Sequence, residues 1–123
     1  MDSKYIFTEA NLDNDIDDLA QLAESIWHNH FSSYFDTGTL NKLIKSSQSK
    51  GAVLKQISEG YSYYFIVHNN HRVGYFSYRV ETEKDQMMLS KLYLSPLQRR
   101  KGVGRQVLVY LEKICLQSAV SKI

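Results

Sequence analysis

Cysteine, proline and long apolar runs are scarce in this chain, and each shortage removes a class of protein. One cysteine among 123 residues leaves no pair for an internal disulfide framework and fits a reducing compartment. No apolar stretch approaches the roughly 20 residues that cross a bilayer. The opening MDSKYIFTEANLDNDIDDL does not run from basic to apolar as a signal peptide does. A soluble, cytoplasmic protein is expected. Net charge is also small. Fifteen Lys and Arg against 13 Asp and Glu give +2, too weak a field for a general nucleic-acid or membrane-surface binder. Histidines are few and badly placed for a metal. His28 and His30 are two apart, so on a helix they face different ways, and His68 and His71 flank a hairpin end without further ligands. Pro96 is the only proline, and no repeat or low-complexity segment is present.

What is present suits a single domain over residues 1–123, with 43% hydrophobic residues and enough chain for one core. Residues 5–8 read as a short strand. A helix follows, capped by Asn14 or Asp15, with Asp17 and Asp18 in its first turn and Ile16, Leu19, Ala20, Ala23, Ile26 and Trp27 on one stripe. Residues 28–40 mix aromatic and turn residues and read as a loop or broken helix. Short helical pieces are expected at 40–44 and 52–59, the latter stopped by Gly60. Residues 61–68, YSYYFIVH, form a strand buried on both faces for part of its length. Asn69-Asn70-His71 turns it into a return strand at 72–82, and Glu83-Lys84-Asp85 turns again into an apolar strand at 87–94. The result is an antiparallel meander. Most of its tyrosines should pack with their hydroxyls near water.

The last strand leads into the most informative stretch. Ser95-Pro96 ends it, residues 102–118 repeat apolar residues at helical spacing, and Arg99-Arg100-Lys101-Gly102-Val103-Gly104-Arg105 lies between. Cations are disfavoured where a helix begins, because that end carries about +0.5 charge. Their clustering there calls for an anion. Two glycines permit close backbone approach, and the free N–H groups of the first turn point outward as donors. Spacing alone leaves two readings open, a solvated basic loop or a phosphate cradle. It is not a P-loop, since Lys101 precedes Gly102, and not a dinucleotide fingerprint, since Val107 stands where a third small residue belongs. Cys115 lies on the core stripe of this helix and reads as a packed thiol.

The strand Leu89-Ser90-Lys91-Leu92-Tyr93-Leu94, followed by Arg99-x-x-Gly102-x-Gly104 and an amphipathic helix, resembles the acetyl-CoA-binding motif of the GNAT-type N-acetyltransferases. The resemblance implies an α/β fold with a mixed sheet in the order β-α-α-β-β-β-α, and the start of a fifth strand at 120–123. It implies transfer of acetyl from acetyl-CoA to a primary amine, without a metal. Leu92, Tyr93 and Leu94 would pair with the pantetheine arm. Arg99, Arg100, Lys101, Gly102, Val103, Gly104 and Arg105 would hold the pyrophosphate. Phe31, Tyr34, Phe35 and Asp36 would lie on the acceptor side.

Two departures qualify the resemblance. Family members continue past this point with a strand parallel to 87–94, so the chain reads as the N-terminal portion of a longer domain, or as one that pairs its open strand with another copy. Where many members carry a glutamate base on the central strand, this sequence has Ser90, with Lys91 beside it. No base or general acid can be assigned from the sequence, and Glu81 and Glu83 are not convincing substitutes. A non-catalytic CoA-binding module and an interaction domain stand as alternatives, and the acceptor, a small molecule or a peptide amine, is open.

Overall fold

The computed structural model describes residues 4–11 and 13–117. Strand β1 (Tyr5–Glu9) is followed by helices α1 (Asp13–Phe31), α2 (Thr37–Ser47) and α3 (Lys50–Ser58). Strands β2 (Ser62–His68), β3 (His71–Glu81) and β4 (Gln86–Leu94) come next, and helix α4 (Val103–Gln117) closes the order. Single turns of 3-10 helix at Thr82–Lys84 and Pro96–Gln98 sit before and after β4. The sheet runs β1-β2-β3-β4 with every pairing antiparallel. This is the expected α/β architecture with one helix more between β1 and β2. The parallel strand expected at 120–123 lies outside the described residues.

Local chemistry accounts for the helix boundaries that the sequence left vague. Helix α1 begins at Asp13, so Asn14 and Asp15 are inside its first turn rather than capping it, and it runs on to Phe31. Of the two readings of residues 28–40, the broken helix holds: α1 ends at Phe31 and α2 starts at Thr37. Asp36 caps α2 by accepting the Thr39 N–H at 2.8 Å, a bond that holds its carboxyl below the usual range. Ser49 does the same for α3 through the Ala52 N–H. Asn69 and Asn70 both take positive φ, 51° and 65°, as a tight hairpin turn requires.

The sheet separates two apolar clusters. Ile66, Phe76, Met87, Val107 and Leu111 pack on the α4 side. Ile16, Leu19, Ile26, Tyr63, Phe65 and Tyr75 pack beneath α1 and α3. Adjacent residues Phe65 and Ile66 thus enter different clusters, which is why β2 lacks polar alternation.

Strand β4 carries an insertion that decides which side chains reach each face. Ser77 pairs with Lys91, yet the next residue, Tyr78, pairs with Leu89, leaving Ser90 as an extra residue. The phase flips at this bulge. Leu92 and Leu94 share the α4 face with Leu89 and Met87, whereas Lys91 and Tyr93 face the other helices.

At the far end of the same ladder, Gly74 is opposite Leu94. A Cβ there would lie 2.5 Å from the Tyr93 carbonyl oxygen. Because a backbone atom is the obstacle, Gly74→Ala should lower unfolding free energy by about 1–3 kcal/mol, read as a lower urea midpoint with unchanged slope.

Candidate active site

The chain leaving β4 is tied down before it reaches α4. The Ser95 N–H donates to the Val73 carbonyl at 2.8 Å, extending the β3–β4 ladder into the loop. The buried Gln98 accepts the Tyr5 hydroxyl proton at 2.6 Å, linking the loop to β1. Arg99 donates from Nε to the Leu94 carbonyl at 3.2 Å. That guanidinium braces the turn against the end of the strand.

Beyond Arg99 the backbone enters the left-handed region twice, at Arg100 (φ 63°) and Gly102 (φ 77°). A Cβ on Gly102 would meet nothing within 4 Å. Only the backbone requires glycine there. The first helical bond runs from the Gln106 N–H to the Gly102 carbonyl at 3.2 Å, so the N–H groups of Val103, Gly104 and Arg105 precede the helix's own ladder. Arg100 and Lys101 are exposed at this mouth. Arg105, also exposed, lines a groove against β1 with Lys4, Ile6, Val109 and Tyr110. Val103 is buried and anchors the turn in the α4 cluster. Leu92, Tyr93 and Leu94 lead into this turn on β4, whose outer edge pairs with no strand among the described residues.

On the helix face of β4 stands a group whose role the sequence did not disclose. Lys91 is only 9% exposed. Its Nζ donates to the Ser47 carbonyl at 2.6 Å and to the Tyr63 hydroxyl at 2.7 Å. Tyr63 donates onward to Gln56 Oε1. One strand pair along, the Tyr75 hydroxyl donates to the buried Gln48 at 2.6 Å. Burial raises the pKa of both tyrosines and pushes Lys91 down to about 8. These two hydroxyls were expected near water, but glutamines from α2's end and α3 serve them inside the fold.

The remaining candidates divide. Tyr34 and Phe35 are exposed between α1 and α2, Phe31 is half-buried, and Asp36 is committed to its cap. Trp27 packs on Phe31 and Tyr93 with ring centroids 4.8 and 5.4 Å away. Its indole N–H makes no hydrogen bond of ordinary geometry but lies close enough to the Tyr75 hydroxyl to favour its ionised form. Glu81 is occupied by Gln86 and Arg79. His68, expected at the surface, stacks on Tyr5. Cys115 is buried beside Met87, and burial raises its thiol pKa, as befits a packed side chain. No group of metal-ligating side chains forms among the described residues, nor is any of their helices long and apolar enough to cross a membrane.

Lys91 gives a pH test of this geometry. Its pKa is lower in the folded chain than its ordinary 10.5, so between about 8 and 10.5 the unfolded chain binds more protons. Stability relative to Lys91→Met should therefore rise with pH across that interval, by on the order of 2–3 kcal/mol. Parallel urea titrations at pH 7 and 10 read it, and parallel curves would show that the amine is not desolvated.

Known proteins share this fold. A family model described as Acetyltransferase (GNAT) family matches residues 18–123. The PaiA N-acetyltransferase of Thermoplasma acidophilum, solved with coenzyme A, superposes with TM-score 0.75 at 18% identity, over 98% of this chain and 76% of that one. The ribosomal-protein-S18-alanine N-acetyltransferase of Escherichia coli superposes with TM-score 0.63 at 17% identity, over 96% of this chain and 63% of that one. A GNAT family acetyltransferase of Staphylococcus aureus gives TM-score 0.58 at 17% identity, over 95% of this chain and 94% of that one. No curated protein sequence matches this one. The structural likenesses speak for the fold, and the match over residues 18–123 makes this chain a member of the GNAT acetyltransferase family.

Proposed function

We propose that this chain binds acetyl-CoA and transfers its acetyl group to a primary amine, in a reducing, cytoplasmic setting. The observation that carries the reading is the run from a strand edge at Leu92, Tyr93 and Leu94, unpaired among the described residues, into a cation-bearing turn at the start of α4. An extended pantetheine arm, with its amide groups, suits an open strand edge. A diphosphate suits a turn where N–H donors and exposed guanidinium and ammonium groups converge.

Within this proposal the seven turn residues have different tasks. Arg100 and Lys101 supply charge, Gly102, Val103 and Gly104 supply backbone N–H donors, and Arg99 braces the strand end. Arg105, turned toward β1, contributes long-range charge. A Cβ on Gly104 would sit 3.7 Å from Leu92 Cδ2, an ordinary contact. A larger side chain there would crowd the proposed arm without unfolding the free protein. The transfer itself is attack of a neutral amine on the thioester carbonyl, with loss of the thiolate. Holding the two reactants together supplies a large part of such a rate. The acceptor belongs to the class of primary amines, met near Tyr34 and Phe35.

Calorimetric titration with CoA and acetyl-CoA tests the cofactor site, and a thiol-release assay over a panel of amines tests turnover. Arg100→Ala should weaken CoA binding about tenfold, the worth of one charge-assisted hydrogen bond. Gly104→Val should weaken it at least as much while leaving the unfolding midpoint nearly unchanged. Wild-type affinity in both variants would remove the turn from the site. Binding without thiol release from any amine would leave a cofactor-binding module.

A further inference from the structure

The cofactor reading uses the β4 margin of the sheet and leaves the opposite margin, β1, without a task. Between β1 and α4 runs an open groove of about 630 Å³. Phe7 and Tyr110 form its inner wall, their ring centroids 5.1 Å apart. Ile6 and Val109 flank it at 53% and 47% exposure, high values for residues with nothing polar to offer water. Its charge is of one sign. Lys4, Arg105 and Lys113 line it, all exposed, and no carboxylate does. None of these three cations forms an ion pair among the described residues.

The backbone beside the groove is open as well. The Ala10 N–H donates to the Tyr63 carbonyl at 2.9 Å, which continues the β1–β2 register as a hydrogen-bonded pair. Antiparallel alternation then turns the backbone groups of Ile6 and Thr8 toward β2, and those of Tyr5, Phe7 and Glu9 away from the sheet. No strand among the described residues pairs with that outer edge. N–H donors and carbonyl acceptors thus stand free along the rim of an apolar, cationic groove.

We infer that this margin docks an extended acidic segment of a partner protein, added to β1 as a further strand. Main-chain hydrogen bonds to Tyr5, Phe7 and Glu9 hold the segment, and its alternate side chains enter the groove. Arg105, Val109 and Lys113 follow one another at four-residue intervals on α4, so the row spans about 12 Å. Every second residue of a strand advances about 6.7 Å. Acidic residues at the first and fifth positions, with an apolar residue at the third, therefore match a row of cation, apolar side chain and cation. Charge selects this occupant over the alternatives. A second copy of the chain would bring three more cations to the same groove, and a lipid surface would leave the outward backbone groups of β1 without partners. The groove lies three strand spacings from β4, about 14 Å across the sheet, so a docked segment leaves the proposed cofactor edge free.

The test uses the whole chain, isotope-labelled for NMR, and the end-capped peptide Gly-Glu-Thr-Val-Thr-Glu-Gly. Saturable amide shifts should be confined to β1 and to residues 105–113. Replacing both glutamates of the peptide with lysine should weaken binding about tenfold, the worth of two exposed ion pairs. The double variant Lys4→Glu/Lys113→Glu, at two exposed positions, should reverse the preference between the two peptides. N-methylation distinguishes strand addition from charge attraction alone. Methyl groups on the two threonine nitrogens, or instead on the valine and glutamate nitrogens, block opposite edges of the extended peptide. One set should abolish binding and the other leave it within about threefold, because only one edge faces β1. Equal affinity for acidic and basic peptides, equal tolerance of both methylation sets, or no shifts at millimolar peptide would each overturn the proposal. So would shifts on this face that grow with protein concentration in the absence of peptide, which would mark a second copy as the occupant. Co-sedimentation with phosphatidylcholine–phosphatidylserine vesicles that the double variant abolishes, unaccompanied by peptide binding, would reject it in favour of a membrane surface.

Discussion

One extra residue in β4 is the constraint on which the rest of the site depends. Were Ser90 paired as an ordinary strand residue, Leu89 and Lys91 would share a face, and either a lysine would enter the α4 cluster or a leucine would displace polar groups beneath the helices. With the bulge, Met87, Leu89, Leu92 and Leu94 all contribute to the α4 side, while Lys91 and Tyr93 reach the other. The bulge also falls at the centre of the strand, upstream of the edge residues that lead into the basic turn. Strand, turn and buried amine are thus set by the same register.

Burying a lysine among aromatic rings is costly if the amine stays charged. Ser47 and Tyr63 offset part of that cost by accepting its protons, and Gln56 prevents the Tyr63 hydroxyl from competing as a donor. Gln48 serves Tyr75 in the same way. Gln48 ends α2 and Gln56 lies within α3, so the two short helices act as a polar lid over the sheet as well as apolar cover. The compromise is to let the amine lose its proton readily.

Elements carried by periodicity or by turn chemistry were legible in the sequence. The meander, α4 and the core position of Cys115 follow from apolar spacing, Asn69-Asn70 and Gly102. Helices α2 and α3 were underestimated because their N-termini depend on Asp36 and Ser49, side chains that look like loop residues until they accept backbone N–H groups. The Lys91 cluster could not be read at all. Its members lie 28 residues apart at Tyr63 and Lys91 and 44 apart at Ser47 and Lys91, and a bulge leaves no mark in an apolar alternation already broken by Ser90. Only the anomaly of a lysine inside an apolar strand hinted at it. The basic turn was visible as composition, but its division of labour was not, since the bracing of Arg99 and the turning away of Arg105 depend on where β4 and β1 lie.

Arg100 shows why composition at that turn still supports a ligand. Its backbone sits in the left-handed region, a conformation that costs a residue with a Cβ about 1–2 kcal/mol. Its charge stands at the positive end of α4, which costs a further fraction of a kcal/mol. Glycine or asparagine would relieve both penalties, so neither backbone comfort nor helix stability accounts for an arginine at this place. The two costs are independent in origin, yet an anion bound at the mouth of α4 would answer the electrostatic one directly and gain a donor from the strained residue. Gly102, two residues on, has the same handedness without the penalty, which separates its task of shaping the turn from the task of meeting charge.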